Sequence, residues 1–306
     1  MAVADHGREL GTSYEVVVLA PPGEAAAARL ALAAARAECR ALEAVLSEWR
    51  EDSELSRLNQ RAGQEAVEAS PLLLRLLQGA LHVAEVTQGS FDPTWAPLGP
   101  LWEEAERRGR VPTAEELARV RPHLGFHRVR LEGRRVAFTS PGTRLGVASF
   151  AKGWIIDALH QGLTRRGFPD AIVNIGGDLR TSGPDAEGRP RVLQLLDPYR
   201  PRQVVAELTV ADAAVATSGS YFRRRLIGGV AHGHLLDPAT GWPPAFDGSV
   251  TVVTRDAAMA DAMATALYVM GPAAGLAFAQ RVPGLQALFA TRAGLVGTAG
   301  LTAPRC

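Results

Sequence analysis

Stretches with strand periodicity alternate with helical ones along this chain, but without the strict strand-helix-strand cadence that a doubly wound parallel sheet requires. That pattern predicts an α+β fold, with mixed sheets and helices packed on them. Residues 14–19 alternate and then run apolar, a strand ended by Pro21-Pro22-Gly23. An alanine-rich helix follows to about Leu46, with an apolar face read through Leu30, Ala34, Ala37, Ala41 and Val45. Asp52 or Ser53 is placed to cap a short helix, and Pro71 opens a second long one over 72–86 that ends near Gly89. Gly89-Ser90-Phe91-Asp92-Pro93 reads as a turn with an exposed aromatic. Residues 95–125 read as an irregular helical insert, with a helix start at Pro112-Thr113-Ala114-Glu115-Glu116.

The second half reads in the same way. Residues 128–131 and 135–139 form a hairpin through Glu132-Gly133, 153–166 is helical and 171–175 is a strand ending in the sharp turn Gly176-Gly177-Asp178. Further strands fit 192–196, 203–210, 228–236 and 249–253, the last leading into a helix over 257–270. No repeat, linker or low-complexity stretch separates independent units. The expectation is one large domain of two intimately packed α/β halves.

Composition excludes several classes. A net charge of +1 gives no polyanion footprint, so no nucleic-acid partner is expected, and the run Arg223-Arg224-Arg225 reads as a solvated loop or strand end. Two cysteines, Cys39 and Cys306, make neither a disulfide framework nor a zinc site. Residues 1–7 carry no apolar signal region, and no uninterrupted apolar segment reaches membrane-spanning length.

Of 33 basic residues, 32 are arginine, and the single lysine is Lys152 in Val147-Ala148-Ser149-Phe150-Ala151-Lys152-Gly153. Arginine serves wherever a solvated positive charge is enough, so a lone lysine marks a candidate site for a compact ammonium, as at a phosphate. Asp261 and Thr265, four residues apart, share a face of an otherwise apolar helix, a spacing that suits Mg²⁺ with its hard oxygen ligands. The alternative is a dipole interaction for the aspartate and a back-bond for the threonine. His232 and His234 share one face of a strand, where an acid, base or metal ligand is conceivable, while Asp237-Pro238 reads as turn chemistry. Gly176-Gly177-Asp178 and Ala216-Thr217-Ser218-Gly219-Ser220 could each bring backbone donors to a phosphate. Ser149-x-x-Lys152 also matches the serine-acylase pattern, without the Lys-Thr-Gly element that class requires.

In order, these pieces resemble the ApbE family of flavin transferases. The carriers are Leu10-Gly11-Thr12-Ser13-Tyr14, the stretch Leu46-Ser47-Glu48-Trp49 through Asp52-Ser53-Glu54-Leu55-Ser56 to Asn59, and Thr87-Gln88-Gly89-Ser90-Phe91-Asp92-Pro93-Thr94. They continue with Ala151-Lys152-Gly153, Asn174-Ile175-Gly176-Gly177-Asp178, Ala216-Thr217-Ser218-Gly219, His234-Leu235-Leu236-Asp237-Pro238-Ala239-Thr240-Gly241 and Ala260-Asp261-Ala262-Met263-Ala264-Thr265. The similarity covers residues 8–292 as one flavin transferase domain, with 1–7 and 293–306 as terminal extensions.

The resemblance implies a Mg²⁺-dependent enzyme that cleaves the FAD pyrophosphate, attaches FMN to a threonine or serine hydroxyl of a partner flavoprotein and releases AMP. FAD pyrophosphatase and a non-catalytic flavin-binding relative are the alternatives. It implies Asp261 and Thr265 as side-chain metal ligands, with backbone oxygens of Ser149 and Ala264. Lys152 would contact the FAD phosphate or ribose, and Ser90, Phe91 and Asp92 one end of the dinucleotide. Leu235 would also touch FAD, and His234 would be the general base on the acceptor hydroxyl. The resemblance further implies a periplasmic or cell-envelope location, with a membrane reached only through an anchor that this sequence does not show. Three positions depart from the family pattern: Leu10 replaces a methionine that packs on the flavin, Trp49 replaces a tyrosine or asparagine, and Gly146 replaces a carboxylate that contacts FAD.

Overall fold

The computed structural model describes residues 1–221, 223–299 and 301. Its frame is an eight-stranded sheet in which every neighbouring pair is antiparallel. The chain enters through β1 (Ala2–Glu9) and β2 (Thr12–Leu19), then α1 (Ala25–Leu46), α2 (Glu54–Gln60), the short β3 (Val67–Glu68) and α3 (Pro71–Val86). Next come α4 (Leu98–Arg108), α5 (Ala114–Val120), the hairpin β4 (Val129–Glu132) and β5 (Arg135–Phe138), and α6 (Ala148–Arg165). The hairpins β6 (Ala171–Ile175) with β7 (Asp178–Thr181) and β8 (Arg191–Leu196) with β9 (Val204–Val210) follow, then β10 (Ala213–Gly219). The chain continues with β11 (Arg224–Ile227) and β12 (Val230–Gly233), and ends with β13 (Ser249–Thr254), α7 (Ala257–Ala279), β14 (Gln286–Thr291) and β15 (Gly294–Gly297). The main sheet runs β1-β2-β6-β7-β10-β13-β14-β15. The fold is α+β, as the irregular alternation predicts.

The period-2 geometry of the strands sends alternate residues to opposite faces of this sheet. Val173, Ala216 and Val252 join the large core beneath α1, α3, α6 and α7. Their neighbours Ile172, Val215 and Val253 pack on the other face, against Leu208 and Val210 of the β8-β9 hairpin. A third apolar cluster joins α4 and α5, through Trp102 and Leu117, to Ile227 on β11. The helical insert over 95–125 is therefore docked on the β11-β12 hairpin. β1 and β15 are the two edge strands of the main sheet, so the expected domain limits at residues 8 and 292 fall within it or at its border.

Several local signals act as read. Ser53 caps α2 through the amide of Ser56, and Thr113 and Glu116 form a capping box on α5. Four expectations are corrected. The face of α1 read through Leu30, Ala34, Ala37, Ala41 and Val45 is the outer one, and the buried stripe is Ala28, Leu32, Ala35, Cys39, Leu42 and Leu46. An alanine-rich helix is nearly apolar all round, so periodicity leaves its orientation to packing. Phe91 is only 2% exposed, because its ring joins the core against Phe150 on α6. The Ala216-Thr217-Ser218-Gly219 segment, read as a source of backbone donors for a phosphate, is strand β10, whose backbone is paired with β13. Finally, α7 runs past residue 270 across a kink at Gly271 and Pro272, and its 23 residues are long and apolar enough to cross a membrane. It is instead the central core helix, with Ala260, Met263 and Leu267 buried. Cys39 is also buried, which pushes its thiol up to about 12 and leaves it unreactive, while Cys306 lies outside the described residues.

Candidate active site

Two helices and one strand bring the lone lysine to a pair of aspartates. Gly153 on α6 meets the first turn of α7 so closely that a Cβ there would stand 2.1 Å from the Ala257 carbonyl oxygen. That contact sets the residues on either side. Lys152 Nζ pairs with Asp178 Oδ2, at the start of β7, and lies 3.7 Å from Asp261 Oδ1 on α7. Asp261 Oδ2 accepts the Gly153 amide at 3.1 Å, and Asp178 Oδ1 accepts the Thr217 amide from β10 at 3.1 Å. Asp157, one turn further along α6, accepts the amides of Ala257 and Ala258 at 3.0 Å each and so caps α7. Asp178 begins where it does because Gly176 and Gly177, both at positive φ, close a two-residue hairpin turn.

Burial alone would depress the Lys152 ammonium, but the Asp178 and Asp261 carboxylates outweigh it and hold the lysine above its ordinary range. Burial raises the Asp261 carboxyl, with Asp178 adding to the rise and Lys152 opposing it. Two buried carboxylates thus share one ammonium, an arrangement one positive charge short of balance. Hard oxygen donors around an uncompensated negative charge fit Mg²⁺. Asp261 and Thr265 stand one turn apart on α7, Ala264 lies between them and Ser149 is in the first turn of α6. With its ammonium engaged by two carboxylates, Lys152 is not a base for Ser149, which removes the serine-acylase reading.

His234 follows β12, and its Nδ1 lies 3.1 Å from the carbonyl oxygen of Arg223. A carbonyl only accepts, so Nδ1 carries the hydrogen and Nε2 keeps its lone pair. Burial lowers the His234 pKa, and the nearby charges of Arg223, Arg225 and Lys152 lower it further, so the ring is neutral at pH 7. His232 instead packs its ring 5.6 Å from that of Trp102, and no cluster of three His, Cys, Asp or Glu side chains fit to hold a metal occurs among the described residues. Asp237 serves the turn, accepting the Ala239 amide and the Thr240 hydroxyl.

Around the start of α6 the structure assembles a second group. Trp95 Nε1 donates to the Gly146 carbonyl at 3.0 Å, and Glu48 Oε2 lies 3.4 Å from the Ala148 amide. Trp49, beside Glu48, is 76% exposed. A side chain on Gly146 would place its Cβ 2.6 Å from Trp95 Nε1 and 3.1 Å from Glu48 Oε2. The missing side chain at 146 is therefore required by its neighbours. Leu10 sits at positive φ in the β1-β2 turn, half-buried against the main core, and Leu235 is half-buried on the same core. Ser90 is half-buried. Asp92 is committed internally, with Oδ1 accepting from the Thr94 amide and hydroxyl and Oδ2 from the Phe126 amide. Its carboxylate therefore braces the loop, and the Phe91 ring packs on Phe150.

Sequence reasoning missed Asp178 and Glu48 as side chains. The Gly-Gly turn drew attention to backbone donors, although a carboxylate fixed directly after such a turn was itself a signal. Burial pushes the Glu48 carboxyl up to about 7, against weak opposition from the Ala148 and Val147 amides. A carboxyl raised from its unfolded value favours the protonated fold, so this group's contribution is best at low pH and is lost as pH climbs through about 7. Glu48→Gln should therefore stabilise the protein by about 2 kcal/mol at pH 8 and by little at pH 4. Urea denaturation at the two pH values measures this, and an equal gain at both would refute it.

The sequence profile of the ApbE family matches residues 10–289. An FAD:protein FMN transferase of Vibrio cholerae is 34% identical over 283 residues, covering 90% of this chain and 83% of that protein. One from Treponema pallidum is 33% identical over 264 residues, covering 81% and 73%. The crystal structure of the ApbE protein of Thermotoga maritima superposes with a TM-score of 0.88 at 29% identity, covering 98% of each chain. Relatives at this identity and coverage define an enzyme of the transferase class. The chain belongs to the ApbE family.

Proposed function

We propose that this protein is a Mg²⁺-dependent FAD:protein FMN transferase, acting through one catalytic domain over about residues 8–292. Its acceptor would be a threonine or serine hydroxyl of a partner flavoprotein, and its second product AMP. The observation that carries this reading is the cluster of half-buried Lys152 with buried Asp178 and Asp261, one cation short of balance, in a chain whose relatives bear that enzyme name. Bound Mg²⁺ would supply neutralising charge at the pyrophosphate oxygens. Asp261 and Thr265, with backbone oxygens of Ser149 and Ala264, would hold it. Lys152 gives a fixed positive charge for the dinucleotide phosphates, kept in place by Asp178.

His234 Nε2 takes the proton of the acceptor hydroxyl. The hydroxyl oxygen bonds to the FMN phosphorus as the phosphorus-to-AMP oxygen bond breaks, and AMP departs with the electron pair. The neutral ring and the Nδ1 anchor on the Arg223 carbonyl favour this role. His234→Ala should cut transfer by about a hundredfold or more while FAD binding persists. Loss of binding in that variant would make the histidine a ligand contact instead.

Incubation with FAD and Mg²⁺ tests the whole reading. AMP released only with an acceptor flavoprotein supports it, and absence of flavin affinity overturns it. AMP released without an acceptor supports the second reading, FAD pyrophosphatase. Trp49 does not choose between the two, being neither the tyrosine nor the asparagine of the family pattern.

A further inference from the structure

Among the described residues Glu48 is a half-buried carboxylate without a cation, in a chain with 32 arginines. The fully buried carboxylates, by contrast, are all compensated. Glu9 pairs with Arg40, Asp157 with Arg180, Asp197 with Arg200, and Asp178 and Asp261 with Lys152. Asp92 has no ion pair but holds three donors at 2.6–2.9 Å. Glu48 has only the Ala148 amide at 3.4 Å and the neighbouring Val147 amide. Such a group costs stability unless something else completes it.

Its surroundings are built rather than loose. The Trp95 ring is pinned by its bond to the Gly146 carbonyl, and the absence of a side chain at Gly146 is what lets the indole and the carboxylate lie side by side. Asn59 fixes the strand of chain just before, donating to the Leu145 carbonyl at 2.9 Å and accepting its amide at 2.8 Å. The exposed Trp49 stands next to Glu48 in sequence, and the helix whose first turn meets the carboxylate carries Lys152 one turn on. An anionic group here repels phosphate, so it belongs where a ligand carries neutral donors.

We propose that Glu48 is a substrate-contacting residue whose carboxylate accepts hydrogen bonds from sugar hydroxyls of bound FAD, beside Trp49 and the start of α6. This rests on FAD being the substrate. Glu48 Oε2 lies 3.1 Å from where a Cβ on Gly146 would stand, so the carboxylate occupies the room that a side chain at 146 would take.

The test is FAD affinity, read from quenching of flavin fluorescence, alongside the melting temperature of the same samples at pH 7.5. Glu48→Ala should weaken FAD binding about tenfold, Glu48→Gln by less since its amide oxygen still accepts, and neither should lower the melting temperature. Unchanged affinity in Glu48→Ala overturns the proposal. So does weaker binding that comes with a lower melting temperature in both variants, because that is the behaviour of a structural helix cap. A wild-type protein that binds no FAD would fail the underlying reading, whereas a wild type and Glu48→Ala that bind equally well would fail only this one.

Discussion

Asp261→Ala should lower Mg²⁺-dependent FAD cleavage at least a thousandfold, a loss of about 4 kcal/mol in transition-state stabilisation. The carboxylate removed is the one side-chain anion of the proposed metal site, and the Thr265 hydroxyl and two backbone oxygens cannot replace its charge. The fold should survive. Lys152 keeps Asp178 as its partner, and only the Gly153 amide loses an acceptor. Relief of repulsion between Asp178 and Asp261 offsets part of that loss. Measurement of AMP release by chromatography, with circular dichroism as the control for folding, decides it. Undiminished turnover in a folded variant would mean that the metal site lies elsewhere.

Gly153→Ala should be among the most damaging single methyl additions in the protein. Its Cβ would stand 2.1 Å from the Ala257 carbonyl oxygen, 2.4 Å from the Ala257 carbonyl carbon and 2.7 Å from the Ala258 amide nitrogen. All three are backbone atoms of α7, held by Asp157, so no rotamer change relieves the overlap. Separating the helices costs about 3 kcal/mol. The same displacement draws Lys152 on α6 away from Asp261 on α7, so FAD cleavage should fall with stability. A variant that melts like the wild type and turns over normally would show that the two helices are not tightly coupled.

The sequence carried the class of fold and most element positions wherever punctuation was strong. Pro71 with Ser70, the Thr113 box and the two glycine turns each mark a boundary with a local cause. It failed where local pattern is mute. The orientation of α1 is decided by neighbours, since alanine on every face gives periodicity little contrast. β1, with its run Ala-Val-Ala-Asp-His-Gly, and β10, with its Ser-Gly end, are strands because β2 and β13 offer them edges. Of the site, Lys152, Asp261 and His234 were legible as residue types out of place. Asp178 and Glu48 were not, because their meaning lies in partners 26 and 100 residues away in the chain. Phe91, read as exposed, and Asp92 both turn inward, because a turn signal does not say which way its side chains pack.

The pairing of Lys152 has a practical reach. It is the chain's single side-chain amine, and both aspartates hold it protonated and partly covered. Reagents that acylate lysine will therefore find it sluggish, and a lysine-specific protease will find its only cleavage point inside α6. Acylation of that one nitrogen, followed by mass spectrometry, becomes a reporter with no background from other lysines. Its rate rises when the carboxylates let go and falls when a ligand covers it.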